Sequence, residues 1–428
     1  MAQIRPFKAL RFTDKAGAVK EICCPPYDIV SEEQRLGYLA ANEHNIIRLE
    51  LPRESGDPYA QAARTLIDFE EKGVLALDEK PALYLYRESF EVDGQEYFFT
   101  GIIAQVHLEE FSKGIVLPHE ETLSKAKEDR FNLMNATMCN FSQIYSLFPD
   151  EKGEVASYLT HLTEGEPDIR FTDDDGVTHS LWVVQDEAEC KALCDCFDER
   201  KLYIADGHHR YETALRFRDY LRAEGRAQVG DASDYCMMAL VAMNDPGLVV
   251  FPTHRVVRDL DGFEPEAVAA ACKDAFEVAE LDSDCDASAL LKEHYNAGDK
   301  SFVMYAKGRR WLMTLRDFSA LNELCPDCSD ALKGLDVTVL HTLVLERVLG
   351  IDKANMAAQI NLTYTRDAAQ AVELVDSGEA NACFLMNPTK VEEIRAVASA
   401  GEKMPQKSTY FYPKLITGLV MNKLGTIK

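Results

Sequence analysis

Two periods of apolar and polar residues run through the sequence. Short alternating or β-branched runs predict strands, and apolar residues three or four positions apart predict amphipathic helices. The two kinds of segment are interleaved along the chain, which predicts a mixed α/β (α+β) protein. Helix starts are marked by capping signals at Ser31, Asp57 and Thr389.

The same pattern predicts strand pairs and domains. Hairpins are predicted where glycine-containing turns separate two strand-like runs, at Asp93-Gly94, Asp175-Gly176 and Lys307-Gly308. The segment Asn45–Leu51 is rich in β-branched residues and is predicted to be a strand. A change of texture near Asp259–Phe263 divides the chain into two predicted domains, a β-rich one over residues 1–259 and a smaller α+β one over residues 260–428.

The sharpest chemical pattern begins at the apolar run Leu202–Ala205, which is predicted to be a strand. It leads into Asp206-Gly207 and then into a helix that begins at His208. Glycine permits close approach to the backbone, and the first helical turn offers N–H groups at the positive end of the helix dipole. Arg210 adds a forked pair of donors, and His208 and His209 add donors that titrate near neutral pH. This segment predicts a phosphate site; a helix cap with surface histidines is the alternative.

A second polar cluster, from His119 to Arg130, brings carboxylates and cations together in the sequence. Pro118 gives a rigid entry, so Glu120 is a candidate general base and His119 a candidate substrate-binding residue. If the following residues are helical, Lys127 and Arg130 share a face and are candidates for binding a carboxylate or a phosphate. A solvated helix with Glu–Lys pairs is the alternative.

Two further segments carry candidate chemistry. On the predicted strand Asn45–Leu51, side chains two residues apart share a face, so Arg48 is a candidate for binding a substrate carboxylate and Glu50 for accepting a proton. A structural ion pair explains the same two residues. Near the C-terminus, Lys407-Ser408-Thr409 is a candidate loop over an adenine or a phosphate, with a docking strand as the alternative.

Composition narrows the function classes. Lys and Arg number 46 against 72 Asp and Glu, which gives a formal net charge of -26. So acidic a surface disfavours binding to nucleic acid. No apolar run reaches the roughly 18 residues of a membrane span, and the N-terminus lacks an apolar signal segment. We therefore expect no nucleic-acid or membrane partner, and a cytoplasmic location.

The 12 cysteines are scattered through the chain, as expected in a reducing compartment. Cys190, Cys194 and Cys196 lie close together, and Cys325-Pro-Asp-Cys328 is a CxxC pair. One CxxC without a matching second pair is weak evidence for zinc. We therefore predict no metal held by the cysteines and expect their thiols to be structural.

Two resemblances add to these patterns. The segment 204–215 (IADGHHRYETAL) resembles the signature of the ParB/sulfiredoxin-like superfamily, in which a strand, a Gly-x-x-Arg loop and a helix hold nucleotide phosphates. Nearly the whole chain is similar to the family of unknown function 1015 (DUF1015). That similarity rests on five segments in the same order: Cys24–Asp28, Asn45–Pro52, Leu117–Leu123, Ala205–Tyr211 and Pro405–Lys414. The superfamily includes free-serine kinases, so the resemblance implies an N-terminal nucleotide-binding domain and phosphoryl transfer to a small hydroxy acid.

Together these inferences predict a small-molecule kinase that uses ATP or ADP with Mg²⁺ and acts on a hydroxy amino acid, free L-serine first. The predicted catalytic residues are Glu120, Glu50, His209 and Asp206. The predicted phosphate- or nucleotide-binding residues are Gly207, His208, His209, Arg210, Lys407, Ser408 and Thr409. The predicted substrate-binding residues are Arg48, His119, Lys127 and Arg130. A phosphatase acting on phosphoserine or a nucleotide and a non-catalytic nucleotide switch are the alternatives, and a homo-oligomer is left open.

Overall fold

The computed structural model describes residues 1–122 and 124–427. Leu123, the last residue of the motif that begins at Leu117, lies outside the described residues. The mixed α/β class predicted from the sequence is confirmed. The chain divides into two compact units: Met1–Pro118, Thr122–Val249 and Pro413–Lys428 form the first, and His119–Glu121 with Val250–Tyr412 form the second.

The strands of the described residues are named here in chain order. They are β1 (Ile4–Arg5), β2 (Leu10–Phe12), β3 (Leu75–Leu77), β4 (Leu83–Val92), β5 (Gln95–His107), β6 (Val116–Leu117), β7 (Cys139–Asn140), β8 (Ile144–Phe148), β9 (Ile169–Thr172), β10 (Thr178–Val184), β11 (Leu202–Asp206), β12 (Tyr235–Ala242), β13 (Val249–Val250), β14 (His254–Val257), β15 (Phe276–Leu281), β16 (Ser301–Ala306), β17 (Arg309–Leu315), β18 (Leu362–Thr365), β19 (Ala382–Leu385), β20 (Phe411–Tyr412) and β21 (Asn422–Lys423).

The α-helices follow in the same way. They are α1 (Val19–Ile22), α2 (Glu32–Ala41), α3 (Ile47–Glu50), α4 (Pro58–Glu71), α5 (Ser124–Thr137), α6 (Glu154–Leu162), α7 (Glu187–Asp195), α8 (His208–Ala223), α9 (Pro265–Cys272), α10 (Ala287–Ala297), α11 (Ser319–Leu324), α12 (Asp330–Lys333), α13 (Asp336–Leu340), α14 (Lys353–Ala358), α15 (Ala368–Asp376) and α16 (Val391–Ser399). A π-helical segment, His341–Glu346, continues α13.

The first unit is built on a mixed sheet with the strand order β6-β11-β8-β12-β5-β4-β10-β9, and β1 pairs with β5. β11 runs parallel to β6 and antiparallel to β8. Helix α8 follows β11 directly and buries Tyr211 and Phe217 in the core of this unit. The ring of Phe217 meets that of Phe131 on α5 edge-on, with centroids 5.8 Å apart. The Tyr211 hydroxyl donates to the Glu109 carbonyl at 2.8 Å, which fixes the start of α8 beside the end of β5.

The second unit is built on a wholly antiparallel sheet with the strand order β15-β17-β16-β19-β14-β18. Its apolar core joins α10 and α15 to this sheet through residues such as Leu291, Val303 and Ala371. Across the described ranges of the chain, no helix has both the length and the apolar character needed to cross a membrane.

The strongest local signals are confirmed. The three predicted hairpins form as β4–β5, β9–β10 and β16–β17. Helix α2 begins after Ser31, whose hydroxyl accepts the N–H of Gln34 while the Gln34 side chain accepts the N–H of Ser31. Asp57 caps α4 in the same position that the sequence indicates. These signals act within a few residues, so the sequence reveals them directly.

Two local predictions are wrong. Asn45–Leu51 is not a strand, because its centre forms the short helix α3. Buried Asn45 accepts the N–H of Ile47 and donates to the carbonyls of Glu21 and Cys23, which satisfies the backbone without a neighbouring strand. The Thr389 hydroxyl donates to the Ser408 carbonyl instead of capping α16, which starts two residues later.

Candidate active site

The turn between β11 and α8 has the backbone that an anion site needs. Gly207 has φ +93° and ψ 28°, a left-handed conformation that strains other residues. A Cβ atom there would lie 2.9 Å from the Arg210 Nε atom, so glycine also makes room for that guanidinium. His208 is buried and His209 is half-buried in the first turn of α8. In this turn, the N-terminus of α8 lies beside the Arg210 guanidinium.

Asp206 at the end of β11 is held by two cations. Arg210 Nη2 donates to Asp206 Oδ2 at 2.7 Å, and Lys414 Nζ donates to Asp206 Oδ1. Arg210 Nη1 also donates to the Gln143 carbonyl at 2.6 Å. Burial alone would raise the pKa of Asp206, but Lys414 and Arg210 outweigh it and hold that pKa well below the ordinary value. Asp206 therefore stays ionised and orients the turn.

Glu50 is a second carboxylate, only 2% exposed, at the end of α3. The Ser142 hydroxyl donates to Glu50 Oε1 at 2.8 Å, and Arg130 Nη1 lies 3.5 Å from the same oxygen. Burial raises the pKa of Glu50, and the opposing effects of Arg130, Ser142 and Arg210 are too small to cancel it. Glu50 is therefore a stronger proton acceptor than an ordinary carboxylate.

These groups meet in one pocket of the first unit. Its wall includes Glu50, Arg130, Ser142 and Arg210, and we call it the Glu50 pocket. Arg130 stacks on the ring of Tyr27, with its guanidinium carbon 3.9 Å from the centroid. A proton acceptor and two guanidinium groups thus line one space beside the first turns of α8. That combination suits a reaction in which a hydroxyl loses a proton while negative charge is neutralised nearby.

The predicted pairing of Arg48 with Glu50 is wrong. Residues two apart on a helix point in nearly opposite directions, and Arg48 Nε donates to the Glu43 carbonyl at 3.1 Å. Arg130 stands beside Glu50 instead. Lys127, on the same helix as Arg130, forms an ion pair at 2.7 Å with Glu212 of α8.

The remaining candidates come together in the second unit. The Lys407 N–H donates to Glu120 Oε1 at 3.0 Å, and His119 Nε2 lies 3.1 Å from Thr409 Oγ1. Ser408 donates its hydroxyl to the carbonyl of Pro405, and Lys407 has a positive φ of 57°. Two segments predicted separately therefore form one polar cluster, and the roles proposed for its residues stay predictions.

Sequence reasoning missed Lys414, Ser142 and Gln143. Lys414 meets Asp206 across 208 positions, and Ser142 meets Glu50 across 92. Neither contact has a local signal. Pro413 and Lys414 do stand in the last of the five family segments, which is the sequence signal that includes Lys414.

A metal ion in a protein is bound either by protein side chains alone or largely by a nucleotide's phosphates and water. Within residues 1–122 and 124–427, no group of three or more His, Cys, Asp or Glu side chains is arranged to hold a metal ion. Mg²⁺ in nucleotide sites is bound largely by phosphates and water, with one or two protein carboxylates. The residues present therefore fit a metal that arrives with a nucleotide better than one held by the protein alone.

Comparison with known proteins assigns the family. Residues 4–338 match the family described as "Protein of unknown function (DUF1015)", and the chain belongs to that family. No curated protein matches the chain.

Several solved structures resemble this one. A conserved hypothetical protein from Pyrococcus furiosus shares 14% identity over 73% of this chain and 90% of that one, with a TM-score of 0.35. A free serine kinase in complex with AMP shares 15% identity over 73% and 86%, with a TM-score of 0.35. SbnI with a C-terminal truncation, from Staphylococcus aureus, shares 11% identity over 74% and 85%, with a TM-score of 0.35. Because these TM-scores are low, the function proposed below rests on the side chains of this chain and not on the similarity.

Proposed function

We propose that this protein is a phosphotransferase that moves a phosphoryl group between ATP or ADP and the hydroxyl of a small hydroxy amino acid, with free L-serine as the first candidate. The observation that carries the proposal is the Glu50 pocket. It combines a buried carboxylate of raised pKa with Arg130 and Arg210, beside the N-terminus of α8. Phosphoryl transfer needs positioning and charge neutralisation more than covalent catalysis, and these groups supply both.

Glu50 is the proposed general base. A hydroxyl is a poor nucleophile until a group within hydrogen-bonding reach can take its proton. Ser142 and Arg130 fix the position of the Glu50 carboxylate, and its raised pKa brings its basicity closer to neutral pH. Arg130 and Arg210 are proposed to neutralise the substrate and the transferring phosphate.

The β11–α8 turn is the proposed phosphate site. Gly207 lets the Arg210 guanidinium lie against the turn, and the N–H groups of His208 and His209 stand at the positive end of α8. Arg210 and Lys414 supply charge, while Asp206 holds both of them in place. A bound nucleotide with Mg²⁺ would supply the phosphoryl group and additional positive charge. His119, Glu120, Lys127 and the segment 407–409 remain further candidates for substrate or nucleotide contacts.

The proposal is tested by incubating the full chain with L-serine, Mg²⁺ and either ATP or ADP, and measuring phosphoserine by mass spectrometry. We expect phosphoserine together with a nucleotide that has lost one phosphate. L-alanine, which lacks the hydroxyl, should give no product. In a separate incubation with phosphoserine and no nucleotide, release of free phosphate would instead identify a phosphatase. Nucleotide binding without turnover of serine or of other hydroxy acids would identify a non-catalytic switch.

A further inference from the structure

Cys325 and Cys328 stand at the two ends of a tight turn in the second unit. The turn joins α11 to α12 and has Pro326 and Asp327 at its centre. The N–H of Cys328 donates to the carbonyl of Cys325 at 3.2 Å, which is the hydrogen bond of a four-residue turn. Such a turn brings its first and last Cα atoms within about 7 Å. A disulfide typically spans about 4.4–6.8 Å between Cα atoms, so little backbone movement separates this pair from a bridge.

Both thiols can be reached from outside. Cys325 and Cys328 are half-buried, whereas most cysteines in the described part of the chain are buried. The two line the wall of a pocket of about 170 Å³ in the second unit, where Cys325 Sγ lies 3.9 Å from Thr342 Oγ1. Burial raises the pKa of Cys328, and the Cys325 thiol, within hydrogen-bonding reach, raises it further. The two sulfur atoms are therefore neighbours in an accessible place.

We propose that Cys325 and Cys328 form a reversible disulfide by exchange with a low-molecular-weight disulfide such as oxidised glutathione. The site is separate from the Glu50 pocket, and the proposal does not depend on the proposed function. It replaces the expectation that these two thiols are only structural.

The exchange balances in two steps. One cysteine thiolate attacks a sulfur of the small disulfide, forms a mixed disulfide and expels a thiolate, which takes up a proton. The second cysteine, as its thiolate, attacks the cysteine sulfur of the mixed disulfide and expels the second small thiolate, which is also protonated. One S–S bond breaks and one forms. The protein loses two protons and two electrons, and the small disulfide gains them as two thiols.

The chain contains a matched control pair. Cys194 and Cys196 are also half-buried, but they lie at the end of α7 and are two residues apart. Side chains two positions apart on a helix diverge by roughly 200°, so this pair cannot bridge without unwinding the helix. Each pair can be followed separately, because trypsin releases Cys325 and Cys328 in peptide 317–333 and Cys194 and Cys196 in peptide 192–200, with no other cysteine in either.

The test uses the reduced full-length protein. It is titrated with oxidised glutathione, alkylated under native conditions, digested, and analysed by mass spectrometry before and after dithiothreitol. We expect peptide 317–333 to lose the mass of two hydrogen atoms, to escape alkylation, and to recover both thiols on reduction. Peptide 192–200 should carry alkylated thiols or glutathione adducts and no internal bridge.

A single-cysteine variant sharpens the result. In Cys325→Ser the mixed disulfide on Cys328 cannot be resolved, so a stable glutathione adduct is expected there. The proposal is overturned if wild-type peptide 317–333 stays reduced while 192–200 reacts, if it accumulates glutathione adducts without a bridge, or if both peptides form internal bridges equally. The wild-type mapping decides the question even if the variant does not fold.

Discussion

Glu50 is a carboxyl group that is almost wholly excluded from water. Burial raises its pKa, because the charged groups around it compensate only in part. Arg130 is better satisfied, because it also pairs with Asp129 at 2.6 Å and stacks on Tyr27. An ionised carboxylate in a site that favours its neutral form lowers the stability of the fold. Carboxylates of this kind are concentrated at catalytic sites, where they accept or donate a proton.

Replacing Glu50 by glutamine distinguishes a proton-accepting carboxylate from a structural ion-pair partner of Arg130. The amide keeps an acceptor for Ser142 and removes a buried charge, so we expect the free energy of unfolding at pH 7 to change by no more than about 1 kcal/mol. Because the folded-state pKa of Glu50 is raised, the wild type should lose stability as pH rises from the unfolded value of about 4.3 through the folded value. Glu50→Gln should lack that loss.

Urea titrations between about pH 4 and about pH 8 measure this difference. A destabilisation of roughly 3–5 kcal/mol in Glu50→Gln at every pH would show instead that Glu50 and Arg130 form a structural ion pair.

Lys414 acts through Asp206. We expect Lys414→Met to lower the free energy of unfolding by about 1–3 kcal/mol at pH 7, since Asp206 then loses its ion pair with Lys414. The folded-state pKa of Asp206 is depressed, so this contribution is present above the unfolded value of about 3.9 and is lost as pH falls through the folded value. The gap between wild type and variant should therefore hold from neutral pH to about pH 5 and shrink in more acidic solution.

Lys72→Met is the control for this experiment, because it removes an exposed ion pair with Asp68 on α4. Its effect on the free energy of unfolding should be clearly smaller than that of Lys414→Met, because water screens an exposed ion pair. A Lys414→Met effect equally small, or independent of pH down to the acid transition, would contradict the account of Asp206.

Among the secondary-structure elements, the segment formed by β11, Gly207 and α8 could be predicted from sequence because every signal in it is local. An apolar run, a glycine and an amphipathic helix follow one another within about twenty residues. The helix α3 could not be predicted, because a short apolar run is compatible with either structure until its surroundings decide. Here Asn45 decides, through bonds to Glu21 and Cys23 more than twenty positions away.

Alanine variants of two glycines distinguish the effect of backbone strain from an effect on the proposed phosphate site. Gly207 precedes α8 and Gly153 precedes α6, both with positive φ, but a Cβ atom meets Arg210 at the first and nothing at the second. We expect Gly153→Ala to cost about 1 kcal/mol of stability and leave nucleotide binding unchanged. Gly207→Ala should cost more, since the guanidinium must move, and should weaken ADP binding at least tenfold in calorimetry. Equal ADP affinities in the two variants would remove the β11–α8 turn from the phosphate site.

At the scale of the molecule, the C-terminal segment from Pro413 belongs to the first unit, although the sequence pattern divides the chain once, near residue 259. The segment brings Lys414 to Asp206, and the Gln143 side chain donates to the Ile416 carbonyl at 2.9 Å. It also supplies β21, which pairs with β7. These contacts join residues more than 200 positions apart, so neither periodicity nor capping signals reveal them, and the proposed phosphate site obtains Lys414 through them.

Ending the chain after Tyr412 should therefore damage the first unit. We expect a fall of more than about 5 °C in its melting temperature, or insolubility, because buried side chains including Leu419 and Met421 are lost with the ion pair. Ending the chain after Gly425 keeps β21 and is the control. Hydrogen exchange mapped to peptides of the first unit measures the change, and equal protection in the two truncated proteins would contradict the assignment.

In the proposed phosphoryl transfer, Glu50 takes the proton of the substrate hydroxyl. Measuring ADP binding and phosphoserine formation in Glu50→Gln, with Glu109→Gln as control, tests that role. Glu109 is also a buried glutamate of the first unit, but it pairs with Lys113 and does not line the Glu50 pocket. We predict that Glu50→Gln binds ADP within about threefold of wild type and forms phosphoserine about 10²–10⁴-fold more slowly, while Glu109→Gln keeps both. Wild-type turnover in Glu50→Gln, or equal losses in the two variants, would contradict the account.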